Sequence, residues 1–186
     1  MQSDPSITQM IAASRSGDDA AFASLFSAVY ASLRQMARRR LSEVDGFSTL
    51  STTALVHETY LKMLGSERPE LMDRGHLMGI TSHAMRQVLI DYARRQHAAK
   101  RPQRENRLAI TEIDIAMEDP VDLESIDAAL TKLADVDPQQ AKVVEMKFFG
   151  GMTLEEIAQT LDISTATVTR EWRMARAWLR RELGGT

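Results

Sequence analysis

At 186 residues, with 44% hydrophobic and 26% charged side chains, the chain has the make-up of a globular protein of one medium domain or two small ones. The sequence has no Cys, which excludes disulfides and cysteine-held zinc and fits a reducing compartment. No stretch approaches the roughly 18 apolar residues of a membrane span, and Met1 to Ser16 lacks the basic-then-apolar order of a secretory signal, so a cytoplasmic protein with no membrane partner is expected.

Helical periodicity dominates and no run alternates like a strand, so the expected fold class is all-α. A short first helix is expected over Ile7 to Ser16, ended by Gly17. Asp18 or Asp19 offers an N-cap for a long helix to about Leu41, with the stripe Phe22, Leu25, Phe26, Val29, Leu33 and Met36. After a loop around Asp45-Gly46, a third helix runs from about Thr52 to Leu64 and stops at Gly65. A fourth begins near Gly75, with Leu77, Ile80, Ala84 and Val88 on one stripe.

The net charge of −3 is a poor guide to partners, because charge is segregated along the chain and local patches set nucleic-acid affinity. Between Ala93 and Arg107, Arg94, Arg95, Lys100, Arg101, Arg104 and Arg107 stand against the single acid Glu105. Between Ile110 and Asp127 there are seven acids and no base, with Pro120 and little periodicity, which reads as a linker. Two helical domains are therefore expected, residues 1–107 and 123–186, joined by an acidic linker over 108–122.

The second domain opens on Leu123, Ile126, Leu130 and Leu133, one helical face. Asp137-Pro138 places a cap before an N1 proline and starts a helix to Phe149, closed by Gly150-Gly151. Thr153-Leu154-Glu155-Glu156 has the spacing of a capping box. A short helix with Leu154, Ile157, Ala158 and Leu161 inward follows, then a turn at Asp162-Ile163 and a second cap at Ser164. The last helix turns Val168, Trp172, Ala175 and Leu179 inward, and Thr165, Thr167, Thr169, Arg170, Arg173 and Arg176 to other faces. That is the pattern of a C-terminal helix-turn-helix, whose hydroxyls and guanidiniums suit base edges and phosphates. Asp162 stands where such turns often have Gly, a position Asp tolerates better than most residues.

No catalytic or cofactor constellation emerges, and the chain is read as a non-enzyme without cofactors. His57-Glu58 lacks the second histidine of a zinc-protease helix, since position 61 is Leu. His76 and His83 lie two helical turns apart with no third ligand in sight, and read as surface or partner-facing histidines.

Two blocks, Leu55-Val56-His57-Glu58-Thr59-Tyr60-Leu61-Lys62 and the run from Met152 to Ser164, resemble the extracytoplasmic-function type of bacterial sigma factor. The runs Thr167 to Arg173 and Ala175 to Leu179 resemble a subgroup in which Trp replaces the usual Leu. The resemblance spans nearly the whole chain. It implies a promoter-melting first domain and a second domain that reads the minus-thirty-five element. The helix carrying Leu55, Glu58 and Lys62 would then dock on the clamp coiled coil of core RNA polymerase. Arg86, Arg94, Arg95 and Arg101 would meet the minus-ten element of promoter DNA, and Arg170, Arg173 and Arg176 the minus-thirty-five element. The linker would thread toward the RNA exit path, and the flap and an anti-sigma factor are further partners that the resemblance suggests.

One departure stands out. The family carries an Asp-Ala-Glu-Asp type of stretch just before the clamp-binding helix, and this chain has Ser51, Thr52, Thr53 and Ala54 there. Hydrogen-bonded charge pairs are worth roughly 1.5–3 kcal/mol each, so losing two or three weakens docking by about a hundredfold or more. A Ser/Thr protein kinase acting on Thr52 or Thr53, with Ser51 third, would restore negative charge. Alternatively, Ser51 or Thr52 simply caps the helix. Two other readings of the whole remain: a stand-alone helix-turn-helix regulator that binds a palindrome without polymerase, and a sigma-like decoy that binds partners without initiating.

Overall fold

The long stripe of three- and four-residue spacing forms α1 (Asp19–Ser42) in a computed structural model that describes residues 9–11, 19–42, 50–65, 73–99 and 122–184. Every regular element among the described residues is helical. Of the first short helix only residues 9–11 are described, with Ile11 buried. The loop at 43–49, the basic stretch from Lys100 and the acidic segment to Val121 lie outside the described residues.

Helix α1 buries Phe22, Leu25, Val29, Leu33, Met36 and Ala37 along one side. It packs on α2 (Thr52–Gly65), which buries Leu55, Val56, Thr59 and Met63. The Phe26 and Tyr60 rings meet at 4.5 Å between centroids across that contact. Helix α3 (Arg74–Ala99) is buried on more than one side, with Leu77, Met78, Met85, Val88, Leu89 and Ile90 all inside. A helix that is apolar nearly all round has neighbours on both sides. Those of α3 are α2 on one flank and helices from the second half of the chain on the other. The buried hydroxyls of Thr81 and Ser82 donate back to Leu77 O at 2.8 Å and Met78 O at 2.9 Å, so both donors are satisfied within the helix.

In the second half, Asp122 caps α4 (Leu123–Val136) by accepting from Ser125 N at 2.7 Å. Asp137 both ends α4, donating its N–H to Leu133 O, and starts α5 (Pro138–Val144) by accepting from Gln139 N and Gln140 N. The helix expected to reach Phe149 does so, but its last turn, Glu145–Phe149, widens to a π turn. The Gly150-Gly151 corner leads to α6 (Leu154–Leu161) and α7 (Thr165–Gly184). Fully burying each Leu, Val, Ile, Phe or Met of these stripes contributes about 1.5–3 kcal/mol.

The two halves pack directly on each other, which the sequence left open. Gly150 lies so close to α3 that an added Cβ would stand 2.2 Å from Ser82 Oγ. Gly151 has φ of +58°, and an added Cβ would meet Met36 O of α1 at 2.9 Å, so both left-handed backbone and close approach call for glycine. Arg40 continues the α1 stripe one turn beyond Met36 and is only 1% exposed, with its guanidinium 3.8 Å from the centre of the Phe148 ring.

Candidate nucleic-acid and polymerase interface

Helices α6 and α7 are joined by the turn Asp162-Ile163-Ser164. Thr153 Oγ1 accepts from Glu156 N at 3.2 Å while Thr153 N donates to Glu156 Oε2 at 2.7 Å, so the reciprocal cap read in the sequence is formed. Arg39 of α1 adds a third arm, donating to Glu156 Oε2 at 2.9 Å and to Gly151 O at 3.2 Å. Burial works to raise the Glu156 pKa, but the Thr153 N–H and the Arg39 guanidinium outweigh it and hold the carboxyl below its ordinary 4.5. Asp162 takes the left-handed conformation, φ 53° and ψ 45°. Ser164 Oγ then accepts from Thr167 N at 3.1 Å and starts α7.

Val168, Trp172, Ala175 and Leu179 are all buried, which fixes the rotation of α7. At about 100° per residue, Thr165, Thr169, Arg173 and Arg176 fall on one flank and Arg170 beyond it. Thr165, Thr169 and Arg173 are exposed and Arg176 is half-buried. Thr167 turns to the other side, its hydroxyl 2.9 Å from Ser164 Oγ in the cap. Arg170 pairs with the buried Glu171 at 3.1 Å.

A second surface lies where α2 meets α3. An open groove of about 760 Å³ is lined by Glu58, Leu61 and Lys62 from α2 and by Asp91, Arg94 and Arg95 from α3. Lys62 Nζ bonds Asp91 Oδ2 at 2.6 Å, which ties the two helices at the groove, and within α3 Arg95 Nε donates to Asp91 O at 3.2 Å. Residues assigned in the sequence to polymerase and to the minus-ten element thus share one groove. Leu61, not singled out beforehand, is its exposed apolar side chain, 46% accessible. Its place off the Leu55-Thr59-Met63 stripe was the available signal.

Two assignments fare differently. Leu55 is fully buried and points into the core rather than toward a partner. Arg86 is held by the second half of the chain: Nε donates to Asp127 Oδ1 at 2.7 Å, Nη2 to Asp127 O and Thr131 Oγ1, and Nη1 to Glu145 Oε1 at 3.3 Å. His83 Nδ1 lies 2.8 Å from the same Glu145 oxygen. That hydrogen bond raises the His83 pKa; burial opposes it, and the Glu145 and Asp127 charges add to the rise while Arg86 counters. Sequence reasoning missed Arg39, Arg40, Asp127 and Glu145, whose partners are distant in the chain. Arg101 lies outside the described residues.

At the start of α2, Ser51 Oγ accepts from Ala54 N at 3.1 Å, so Ser51 is the cap. Thr52 is half-buried, Thr53 is exposed, and the first turn carries no acid. Among the described residues no helix is long and apolar enough to cross a membrane, and no group of three His, Asp or Glu is placed to hold a metal ion.

The sequence matches the ECF sigma factor family model over residues 4–185, and the chain belongs to that family. A sigma factor binds core RNA polymerase and promoter DNA and directs transcription initiation. A comparison with curated proteins returned no match.

Proposed function

We propose that this sigma factor reads the minus-thirty-five element with the helix-turn-helix of α6 and α7, and the minus-ten element with the basic end of α3. Residues 1–107 and 123–186 act as the two promoter-contacting domains, with 108–122 as the acidic linker between them. The observation that carries this reading is the α7 flank. Thr165, Thr169 and Arg173 stand exposed in a row on a helix whose entry is fixed by two caps and whose far side is fully buried. Rigid presentation of hydroxyls and guanidiniums is what groove readout requires.

Polymerase docks at the α2–α3 groove through Glu58, Leu61 and Lys62, and Leu55 acts from within by holding α2 in place. The start of α2 lacks the family's acids, and phosphorylation supplies the charge. Thr53 is the preferred acceptor because it is exposed in the first turn, while Ser51 is engaged as the cap and Thr52 is half-buried. A phosphate there brings about −1.5 to −2 charges to a helix N-terminus, which also favours anions. A Ser/Thr kinase is therefore a partner, and an anti-sigma factor is a further regulator consistent with the family.

The test is run-off transcription with core polymerase and purified protein, with and without kinase treatment. Promoter-specific product that rises on phosphorylation and is lost in Thr53→Ala is expected. Equal product from the kinase-treated chain, the untreated chain, Thr52→Ala and Thr53→Ala removes the phosphorylation step. Absence of product under every condition, with tight binding to a palindromic duplex, favours the stand-alone regulator.

A further inference from the structure

Helix α7 holds a carboxylate on its core side and a large apolar side chain on its solvent side. Glu171 is only 8% exposed, whereas Met174 is 49% exposed. At about 100° per residue, Val168, Glu171, Trp172, Ala175 and Leu179 share the buried side, and Ala166, Arg170, Arg173 and Ala177 centre on the opposite one. Met174 stands at the edge of that outward face, and all five of these outward residues are exposed. A lone exposed Met is ordinary on a protein surface. This one lies a turn beyond an arginine that the fold has aimed.

Arg170 Nη2 donates to Glu171 Oε1 at 3.1 Å. Successive helix residues do not face each other, so the Arg170 side chain must lie across the helix surface, toward the flank where Met174 stands. A long side chain is thereby held in one direction, which lowers the entropy lost when it meets a partner. The Arg170 side chain remains 57% accessible. The contact takes one of the five N–H donors of a guanidinium and leaves the rest of the fork for a planar pair of acceptors. Phosphate asks only for charge, which the exposed Arg173, Arg180 and Arg181 also carry. A tethered fork suits the O6 and N7 edge of guanine, and an exposed thioether chain suits the thymine methyl group.

We propose that Arg170, oriented by Glu171, reads a guanine of the minus-thirty-five element, and that Met174 selects a neighbouring thymine through its methyl group. This rests on the helix-turn-helix reading above. Glu171 acts as a positioning residue, and Arg170 and Met174 touch the base edges. Four residues of helix advance about 6 Å, or one to two base-pair steps of about 3.4 Å, so both side chains reach one segment of groove.

The test offers holoenzyme, assembled from core polymerase and the full chain with and without kinase treatment, a promoter library randomised around minus thirty-five. Retained duplexes are sequenced. Wild type should enrich guanine at one position and thymine beside it. Arg170→Lys keeps the charge and loses the fork, so it should relax the guanine preference by about 10-fold at an unchanged salt slope. Glu171→Gln should relax the same preference while affinity for non-specific duplex rises, because a negative charge is gone. A merely loosened helix would lower both. On one enriched duplex, uracil in place of the selected thymine removes only the methyl group. That exchange should cost wild type about 4-fold in affinity, the worth of one buried methyl, and Met174→Ala nothing. A guanine preference that survives Arg170→Lys or Glu171→Gln, or an enriched sequence without guanine, overturns the proposal. Arg170 is exposed, so Arg170→Lys decides the matter even where Glu171→Gln fails to fold. An enriched sequence unmoved by the three variants refutes this inference alone, whereas a wild type that enriches nothing under either condition refutes the helix-turn-helix reading beneath it.

Discussion

Gly150→Ala adds one methyl group at a place with no room for it. The new Cβ would stand 2.2 Å from Ser82 Oγ, 2.7 Å from Met146 O and 3.0 Å from Ser82 Cβ, against ordinary contacts of 3.4–4 Å. Backbone at Gly150, φ −82° and ψ −13°, suits alanine, so the whole effect is steric. Ser82 cannot swing away freely, because its hydroxyl donates to Met78 O in a buried site. Overpacking and loss of that bond together should cost about 2–3 kcal/mol. At this chain length the melting midpoint moves about 2–4 °C per kcal/mol, so a fall of about 4–12 °C is expected. Parting of the halves would instead split the transition in two. Calorimetry and urea denaturation measure both outcomes. The double variant with Ser82→Gly should be more stable than the sum of the two single effects by about 1 kcal/mol or more, since one removes what the other collides with. A single transition within ~1 °C of wild type would show that the corner is not pressed against α3, and the packing argument would fail.

Other expectations follow from the same contacts. Arg173→Ala should lower the salt slope of DNA binding by about 0.9 uniformly across sequences if it removes one phosphate contact, and an unchanged slope moves Arg173 off the interface. Asp162→Gly should stabilise the protein by up to about 1 kcal/mol in urea denaturation, because glycine adopts the left-handed turn without the Cβ penalty. His83 has a raised pKa when folded, so its contribution is complete below its ordinary 6.5 and is lost as pH rises through the raised value. The wild-type melting midpoint should therefore decline over that window relative to His83→Gln, and parallel profiles would exclude the His83–Glu145 hydrogen bond as a source of stability. Glu156 runs the other way. Its lowered pKa gives stability above the ordinary 4.5 that is lost as pH falls through the folded value, and Glu156→Gln should flatten the wild-type decline in acid.

Local chemistry made much of this molecule legible in advance. Asp137-Pro138, Thr153 with Glu156, and Ser164 each satisfy N–H groups within three residues, so their spacing alone declares where α5, α6 and α7 begin. The inward set Val168, Trp172, Ala175 and Leu179 followed from periodicity and is buried as expected. Long-range contacts carry no such local mark. Arg39 meets Glu156 117 residues away, and Arg86 meets Glu145 59 residues away. Arg40 is a cation near a helix end that extends the apolar stripe and has an aromatic face, Phe148, more than a hundred residues away to lie on. Leu55 was read with its motif as a docking residue, when its place on the Leu55-Thr59-Met63 stripe already pointed inward. The widening of Glu145–Phe149 into a π turn had no signal in composition, because the residues there suit an ordinary α turn equally well.

That wide turn sets the azimuth of everything after it. A π turn holds one residue more than the α turn it replaces, and each residue of helix turns the chain by about 100° and advances it about 1.5 Å. Deleting one residue from Glu145–Phe149 would re-form the shorter ladder and swing the Gly150-Gly151 corner around the helix axis. The corner would then no longer face Ser82 and Met36, and the capped start of α6 would leave the reach of Arg39. A single inserted residue thus aims twenty residues of helix that lie downstream of it.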